Sequence, residues 1–196
     1  MLIQPVVEDI VQEQILLRVF KKYRPDLTLY SALGKKGSSY IRDKIRGFNE
    51  ASKHVPFVVM TDLDRRPCPP ALIEDWIDFS LSSSMMFRIA VVEAEAWLLA
   101  DRKGISKYLS IPAEKIPHNS EAIENPKEFI VSLARKSRNK TLRMDMVPEG
   151  ISAVGPGYNL KMVDFTLRYW NIDEALSNSR SLKKAVTRIK EFLRMT

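Results

Sequence analysis

In the first hundred residues, short apolar runs alternate with segments whose apolar residues recur every three or four positions. The helical spacing predicts amphipathic helices, beginning with "DIVQEQILLRVFKKY" after the first apolar run. Strands that alternate with helices are typical of a mostly parallel sheet that is flanked by helices. We therefore predict an α/β core over residues 1–103. Its four strands are "LIQPVVE", "DLTLYSAL", "VPFVVMTD" and "MMFRIAVV".

From Gly104 onward the pattern becomes helical throughout, and loops such as "VPEGISAVGPG" separate the segments. We predict a helical C-terminal region over residues 104–196 that packs on the core. A chain of 196 residues suits one domain of ordinary size, or one domain with an appendage. The predicted helices include "ISKYLSI", "PKEFIVSLARKSR", "YNLKMVDFTLRYW" and "SLKKAVTRIKEFL".

The composition predicts a cytoplasmic protein without membrane contact. No apolar run approaches the roughly 20 residues that are needed to span a bilayer, and "MLIQPVVEDI" lacks the basic start of a signal peptide. Cys68 is the sole cysteine, which excludes an intramolecular disulfide framework. A hydrophobic fraction of 45% and a charged fraction of 28% match an ordinary globular protein.

Acidic residues follow three of the four predicted strands. Glu8 follows "PVV", Asp62 and Asp64 follow "VVMT", and Glu93 and Glu95 follow "IAVV". In an extended backbone, side chains two residues apart point to the same face, so the Asp-x-Asp pair would lie side by side. In open parallel sheets, function gathers beyond the carboxyl ends of the strands, so we expect all five carboxylates at one edge.

Five carboxylates at one edge repel one another, and a divalent cation would relieve that repulsion. Oxygen ligands favour Mg²⁺ or Mn²⁺, whereas two histidines and one cysteine make a zinc site unfavourable. Each acid also has a structural interpretation. Glu8 or Asp9 would cap the first helix, Asp62 would form an Asx turn, and Glu93 would occupy a first helical turn.

An acid after the first strand, Asp-x-Asp after the third and a further acid resemble the Toprim fold. That fold is shared by topoisomerases, bacterial primases, OLD-type nucleases and small RNA-maturation nucleases. More narrowly, the chain is similar over nearly its whole length to an uncharacterised bacterial Toprim-like family. The specific part is "EAEAWLLAD" beside "TDLD". The other similar segments are "VVEDIVQE", "ENPKEFI", "SLARKSR", "DMVPEG" and "GPGYN".

This resemblance implies a metal-dependent nuclease that hydrolyses phosphodiester bonds. Asp62 and Asp64 would hold one or two Mg²⁺ or Mn²⁺ ions, and Glu95 or Glu93 would complete the ligand shell. Glu8 would be a ligand or the general base that orients the attacking water. Members of the family are often linked to a companion ATPase of the ABC/RecF type and to defence against mobile DNA, which implies phage defence here.

The chain departs from the Toprim pattern directly after the first glutamate, where Asp9 replaces the usual glycine. A side chain at this position would narrow the access of phosphate or join the metal site. Glu13 lies one helical turn further along and is expected on the same face.

A net charge of +7 and a pI of about 9.5 bias the protein towards polyanions. We expect DNA or RNA as a partner, and a homo-oligomer is also compatible with the sequence. A basic run is equally often a solvated helix face. The candidate phosphate-binding residues are Lys35, Lys36, Arg135, Arg138, Arg143, Lys183 and Lys184.

Two other functions remain open from the sequence. One is a non-catalytic subunit that binds nucleic acid or its ATPase partner through a degenerate Toprim surface. The other is a phosphotransfer or nucleotide-modifying enzyme that cleaves no nucleic acid. The complete set of acids favours catalysis over the binding subunit.

Overall fold

The computed structural model describes residues 2–195, which divide into two compact units. Unit 1 contains the residues up to Val91 together with the segment from Lys184 onward, and unit 2 is Val92–Lys183. This division does not coincide with the predicted boundary after residue 103. The chain passes into unit 2 soon after the last strand, and its final segment returns to the unit that contains the sheet.

Unit 1 contains a five-stranded sheet in which every pairing is parallel. The strand order is β2-β1-β4-β5, and β3 also pairs with β1. The α/β class and the mostly parallel sheet predicted from the sequence are confirmed. The strands are β1 (Leu2–Val7), β2 (Thr28–Leu29), β3 (Leu33–Gly34), β4 (Phe57–Asp62) and β5 (Met85–Ala90).

The predicted second strand is interrupted, and Pro5 supplies the reason. On this side of β1, Ile3 O accepts from Tyr30 N and Val7 O accepts from Lys35 N. Pro5 lies between them and has no N–H to donate. The side-chain amide of Gln4 donates to the carbonyl oxygens of both Pro5 and Ser31 instead. The ladder therefore splits into β2 and β3.

Three helices alternate with the strands of unit 1. The chain moves to one side of β1 for β2 and β3, and then to the other side for β4. Because parallel crossovers are right-handed, this reversal places the first and second helices on opposite faces of the sheet. The helices are α1 (Ile10–Tyr23), α2 (Ser38–Ala51) and α3 (Pro69–Trp76).

One face of the sheet packs against α2 and α3. Ile41, Ile45 and Trp76 from these helices form a buried cluster with Val59 and Phe87 of the sheet. Val58 and Met60 alternate with Val59 along β4 and are completely buried, so they point to the opposite face.

The second half of the chain is helical, as predicted. Trp97, Trp170 and Phe165 are core residues, and each is at most 1% exposed. No helix within residues 2–195 is long and apolar enough to cross a membrane. The helices are α4 (Ala94–Leu99), α5 (Arg102–Leu109), α6 (Pro126–Arg135), α7 (Lys140–Met146), α8 (Tyr158–Arg168), α9 (Ile172–Asn178) and α10 (Arg180–Met195), with short 3₁₀ turns at Ala113–Lys115 and Ser120–Ala122.

Candidate functional site

The carboxyl ends of β1 and β4 meet where the direction of the chain reverses. After β1 the chain turns to one side of the sheet, and after β3 it crosses to the other side. Ligands of open α/β sheets bind in the crevice at such a switch point. Glu8 directly follows β1, Asp62 is the last residue of β4, and Asp64 lies two residues beyond.

Hydrogen bonds join the acids of the two strand ends. Glu8 Oε1 accepts from the hydroxyl of Thr61, and it also accepts from the backbone N–H of Asp62 at 2.7 Å. Thr61 is completely buried. The structure therefore brings Glu8 against the Asp-x-Asp segment, as the switch-point argument predicts for these two strands.

Burial is the main cause that raises the pKa of Glu8 above its ordinary value. The hydrogen bonds from Thr61 and from the backbone of Asp62 lower this pKa, and the negative charges of Asp64 and Asp9 raise it again. Glu8 is thus a half-buried carboxyl whose charged neighbours are carboxylates. A proton on Glu8 or a bound cation would therefore reduce the electrostatic repulsion at this site.

Asp64 reaches this site through a turn. Its φ of +51° lies in the left-handed region, which aspartate tolerates better than most residues. The preceding Leu63 is buried, and its N–H donates to Ala90 O at 2.8 Å. The prediction of an extended Asp-x-Asp is therefore wrong, because the chain turns after Leu63. Asp64 is nevertheless close enough for its charge to act on Glu8.

Asp9 caps a helix in this structure, which is one of the interpretations left open by the sequence. Its Oδ1 accepts from the N–H of Gln12 at 2.9 Å at the start of α1. The side chain of Gln12 in turn accepts from the N–H of Glu8 at 3.0 Å. Gln12 was not identified from the sequence, yet it is completely buried and it fixes the backbone of Glu8.

Glu13 was expected beside Asp9, but its carboxylate holds the loop before α2. Glu13 Oε2 lies 3.2 Å from Lys35 Nζ, and Glu13 Oε1 accepts from Ala32 N at 3.4 Å. Lys35 therefore has an intramolecular carboxylate partner. A metal-binding role of Glu13 stays a prediction.

The loop with Lys35 and Lys36 crosses the end of β1. Lys35 N donates to Val7 O at 2.8 Å, and Gly37 N donates to Glu8 O at 3.1 Å. Gly34 has a φ of +91°, and a Cβ at this position would lie 2.3 Å from Val7 O. Only glycine permits this close approach, which places the exposed Lys36 next to the strand that leads to Glu8.

Glu93 and Glu95 belong to unit 2, where other side chains engage them. Glu93 Oε2 accepts from Lys127 N at 2.8 Å, at the start of α6. Glu95 is 1% exposed, and its Oε1 lies 3.5 Å from Lys127 Nζ and 3.3 Å from the hydroxyl of Tyr158. Neither Lys127 nor Tyr158 is among the site residues predicted from the sequence. That Glu93 or Glu95 joins the acids of unit 1 stays a prediction.

The other candidate cations lie on helices and loops of both units. Arg143 donates to the carbonyl oxygen of Ser137 and is therefore partly engaged within unit 2. Whether any of these cations contacts phosphate stays a prediction. The exposed members are Arg135, Arg138, Lys183 and Lys184, of which Lys184 belongs to unit 1.

Within residues 2–195, no group of three or more Asp, Glu, His or Cys side chains is arranged to hold a metal ion. Mg²⁺ usually keeps several waters and binds through one or two carboxylates plus substrate phosphates. Asp62, Asp64 and Glu8 offer this oxygen chemistry, and both recorded donors to Glu8 converge on Oε1. The donor set therefore fits a metal that the substrate helps to bind.

Comparisons of the chain with protein-family models, curated proteins and solved structures find no match. The resemblance to the Toprim fold therefore rests on the sequence segments alone.

Proposed function

We propose that this protein is a Mg²⁺- or Mn²⁺-dependent nuclease of the Toprim type, which hydrolyses phosphodiester bonds of DNA or RNA. One observation carries the proposal. At the topological switch point of a parallel sheet, Glu8 is hydrogen-bonded to the backbone of Asp62, and the negative charge of Asp64 raises the pKa of Glu8. Paired acids at such a crevice suit metal-assisted phosphate chemistry.

In this proposal, Asp62 and Asp64 hold the metal, and Glu8 is a further ligand or the general base. The metal, when bound, stabilises charge on the attacking and leaving oxygens. Thr61 and the N–H of Asp62 occupy Glu8 Oε1, so Oε2 is the atom that takes either role. A raised pKa brings a carboxyl closer to the neutral range, where a general base works best.

The exposed Lys36, beside the end of β1, is proposed to attract the phosphate backbone towards the acids. The resemblance to the Toprim-like family adds a companion ABC/RecF-type ATPase and a role in defence against phage. These parts of the proposal rest on the similar sequence segments.

The contacts of Glu95 favour a second candidate function. Its buried carboxylate is already engaged by Lys127 and Tyr158, so a metal would have to displace them. If Asp62, Asp64 and Glu8 bind no metal without a ligand from Glu93 or Glu95, the protein is instead a non-catalytic subunit that binds nucleic acid or its ATPase.

Cleavage of labelled DNA and RNA with Mg²⁺ or Mn²⁺, with and without the ATPase, tests the proposal. We expect wild type to cleave at least one substrate and Asp64→Asn to lose cleavage while it still binds nucleic acid. Asp43→Asn is the matched control, because Asp43 is an exposed acid on α2 and its removal changes the charge equally. Full activity of Asp64→Asn in the complete complex would overturn the nuclease proposal and favour the binding subunit.

A further inference from the structure

Two short segments of unit 1 carry most of the net positive charge of the chain. Residues 18–26, at the end of α1, contain four Lys or Arg and one acid. Residues 184–195 of α10 contain another four Lys or Arg and one acid. These 21 residues therefore hold a net charge of +6, whereas the whole chain carries +7. The rest of the protein is nearly neutral, so the positive charge is concentrated.

The two segments are neighbours in space. Lys190 Nζ lies 4.7 Å from the ring centroid of Tyr23, and Arg24 donates to Leu193 O at 3.0 Å. A cleft of about 450 Å³ lies at their contact, lined by Tyr23, Arg24, Lys190, Leu193 and Arg194. We call the surface formed by residues 18–26 and 184–195 the basic face. Its exposed cations are Lys21, Lys22, Lys184, Arg188, Lys190 and Arg194.

Helix ends explain only part of this charge. Both α1 and α10 end in the basic face, and the C-terminus of a helix carries about half a negative elementary charge. The two ends together therefore need about one cation. Asp26 and Glu191 pair with Arg24 and Arg188, at 3.2 Å and 2.8 Å. A net charge of +6 exceeds what the helix ends require.

We propose that the basic face binds the phosphate backbone of nucleic acid. Lysines and arginines on one face give sequence-independent attraction to polyphosphate. An anionic membrane fits less well, because helices that bind membranes insert an exposed apolar side. The apolar side of α10 is buried instead, at Val186, Ile189 and Phe192.

The basic face lies far from the acids at the switch point. Helix α1 begins beside Glu8, and its 14 residues span about 21 Å at about 1.5 Å per residue. The basic face, at the other end of α1, is thus about 20 Å away, or about six steps of about 3.4 Å along a DNA strand. If the proposed nuclease function holds, a substrate that engages both sites must exceed about six nucleotides. Binding to the basic face itself needs no catalysis.

Fluorescence anisotropy with a labelled DNA duplex of about 20 base pairs, in EDTA, tests this inference. Salt is varied from about 50 to about 300 mM, because each phosphate contact contributes about 0.9 to the slope of log K against log salt. Combined Lys22→Gln and Lys190→Gln should reduce the slope by about 1.8. Combined Lys44→Gln and Lys53→Gln make the same charge change on α2 and directly after it, and should leave the slope unchanged.

An equal reduction of the salt slope in the two double variants would overturn the proposal, because the net charge of the protein would then explain binding. Absence of wild-type binding to both duplex DNA and single-stranded RNA at about 50 mM salt would also overturn it, as would binding only to phosphatidylserine vesicles. All of these lysines are exposed, so unchanged thermal unfolding confirms that the variants fold. The result is separable from cleavage: if wild type binds but never cleaves, the nuclease proposal fails and the basic face stands.

Discussion

Glu8 and Asp101 are two carboxyls largely removed from solvent, and replacing each with its neutral amide should affect the stability of the protein differently. Burial is the main cause that raises the pKa of each above its ordinary value. The two donors to Glu8 share Oε1, so Glu8→Gln can keep both hydrogen bonds on its amide oxygen. The two donors to Asp101 are divided: Gly104 N bonds Oδ1 at 2.9 Å, and Asn171 N bonds Oδ2 at 2.7 Å.

Asp101→Asn must therefore turn an NH₂ group towards one of these N–H groups and leave it unsatisfied. An unsatisfied buried donor costs about 1–3 kcal/mol. For a protein of this size, about 2–4 °C of melting temperature corresponds to each kcal/mol, so we expect Asp101→Asn to melt about 2–12 °C lower. Glu8→Gln should melt no lower than wild type at pH 7, because it removes a poorly solvated charge and keeps both hydrogen bonds.

The raised pKa of Glu8 determines how its contribution to folding stability changes with pH. A folded pKa above the ordinary value of 4.5 means that the protonated carboxyl favours folding. The contribution of Glu8 to stability is complete below the unfolded pKa and is lost as pH rises through the folded pKa. The advantage of Glu8→Gln should therefore grow from about pH 4 to pH 7.

Thermal unfolding by circular dichroism, in EDTA and across this pH range, measures both variants. A lower melting temperature of Glu8→Gln at pH 7 would refute the argument, because Glu8 would then act mainly as an ionised structural group. A difference from wild type that is independent of pH would refute it as well.

Three further changes test individual contacts. The hydrogen bond from Thr61 lowers the pKa of Glu8, so Thr61→Val, which removes this bond, should raise that pKa further. A ¹³C NMR titration of the Glu8 carboxyl measures the change, and an unchanged pKa would contradict the prediction. Gly104→Ala should destabilise the protein by about 1–3 kcal/mol, because the alanine Cβ would lie 2.0 Å from Asp101 Oδ2. Gly47→Ala in α2 is the control: a Cβ there meets no atom within 4 Å, so this change should stabilise the protein by up to about 1 kcal/mol. Melting temperatures of the two variants that shift in the same direction would contradict the predicted clash at Gly104. Lys127→Met should lower the free energy of unfolding in urea by about 1–3 kcal/mol, which is less than for a fully buried ion pair because the Lys127 side chain is 31% exposed. Adding Glu95→Gln should recover part of this loss of stability. If the effects of the two substitutions simply add, the two side chains are not coupled.

The sequence alone determined the class of fold. Apolar periodicity is a local property, so alternating strands and helices followed by a helical region could be predicted from neighbouring residues. The positions of Glu8 and Asp62 at strand ends were likewise visible. The tendency of aspartate to cap helices was also visible, although the choice between a cap and a ligand for Asp9 was not.

Only the tertiary structure decided which of these residues meet. The order of the strands placed β1 beside β4 and so joined Glu8 to Thr61, which lies 53 residues away in the sequence. The turn after Leu63 overrode the alternation expected of a strand, because its N–H bonds to Ala90 on the neighbouring strand. Arg24 and Leu193 lie 169 residues apart, yet their contact brings two basic segments together. Local spacing holds no information about such pairings, because they depend on how the buried faces of distant elements pack.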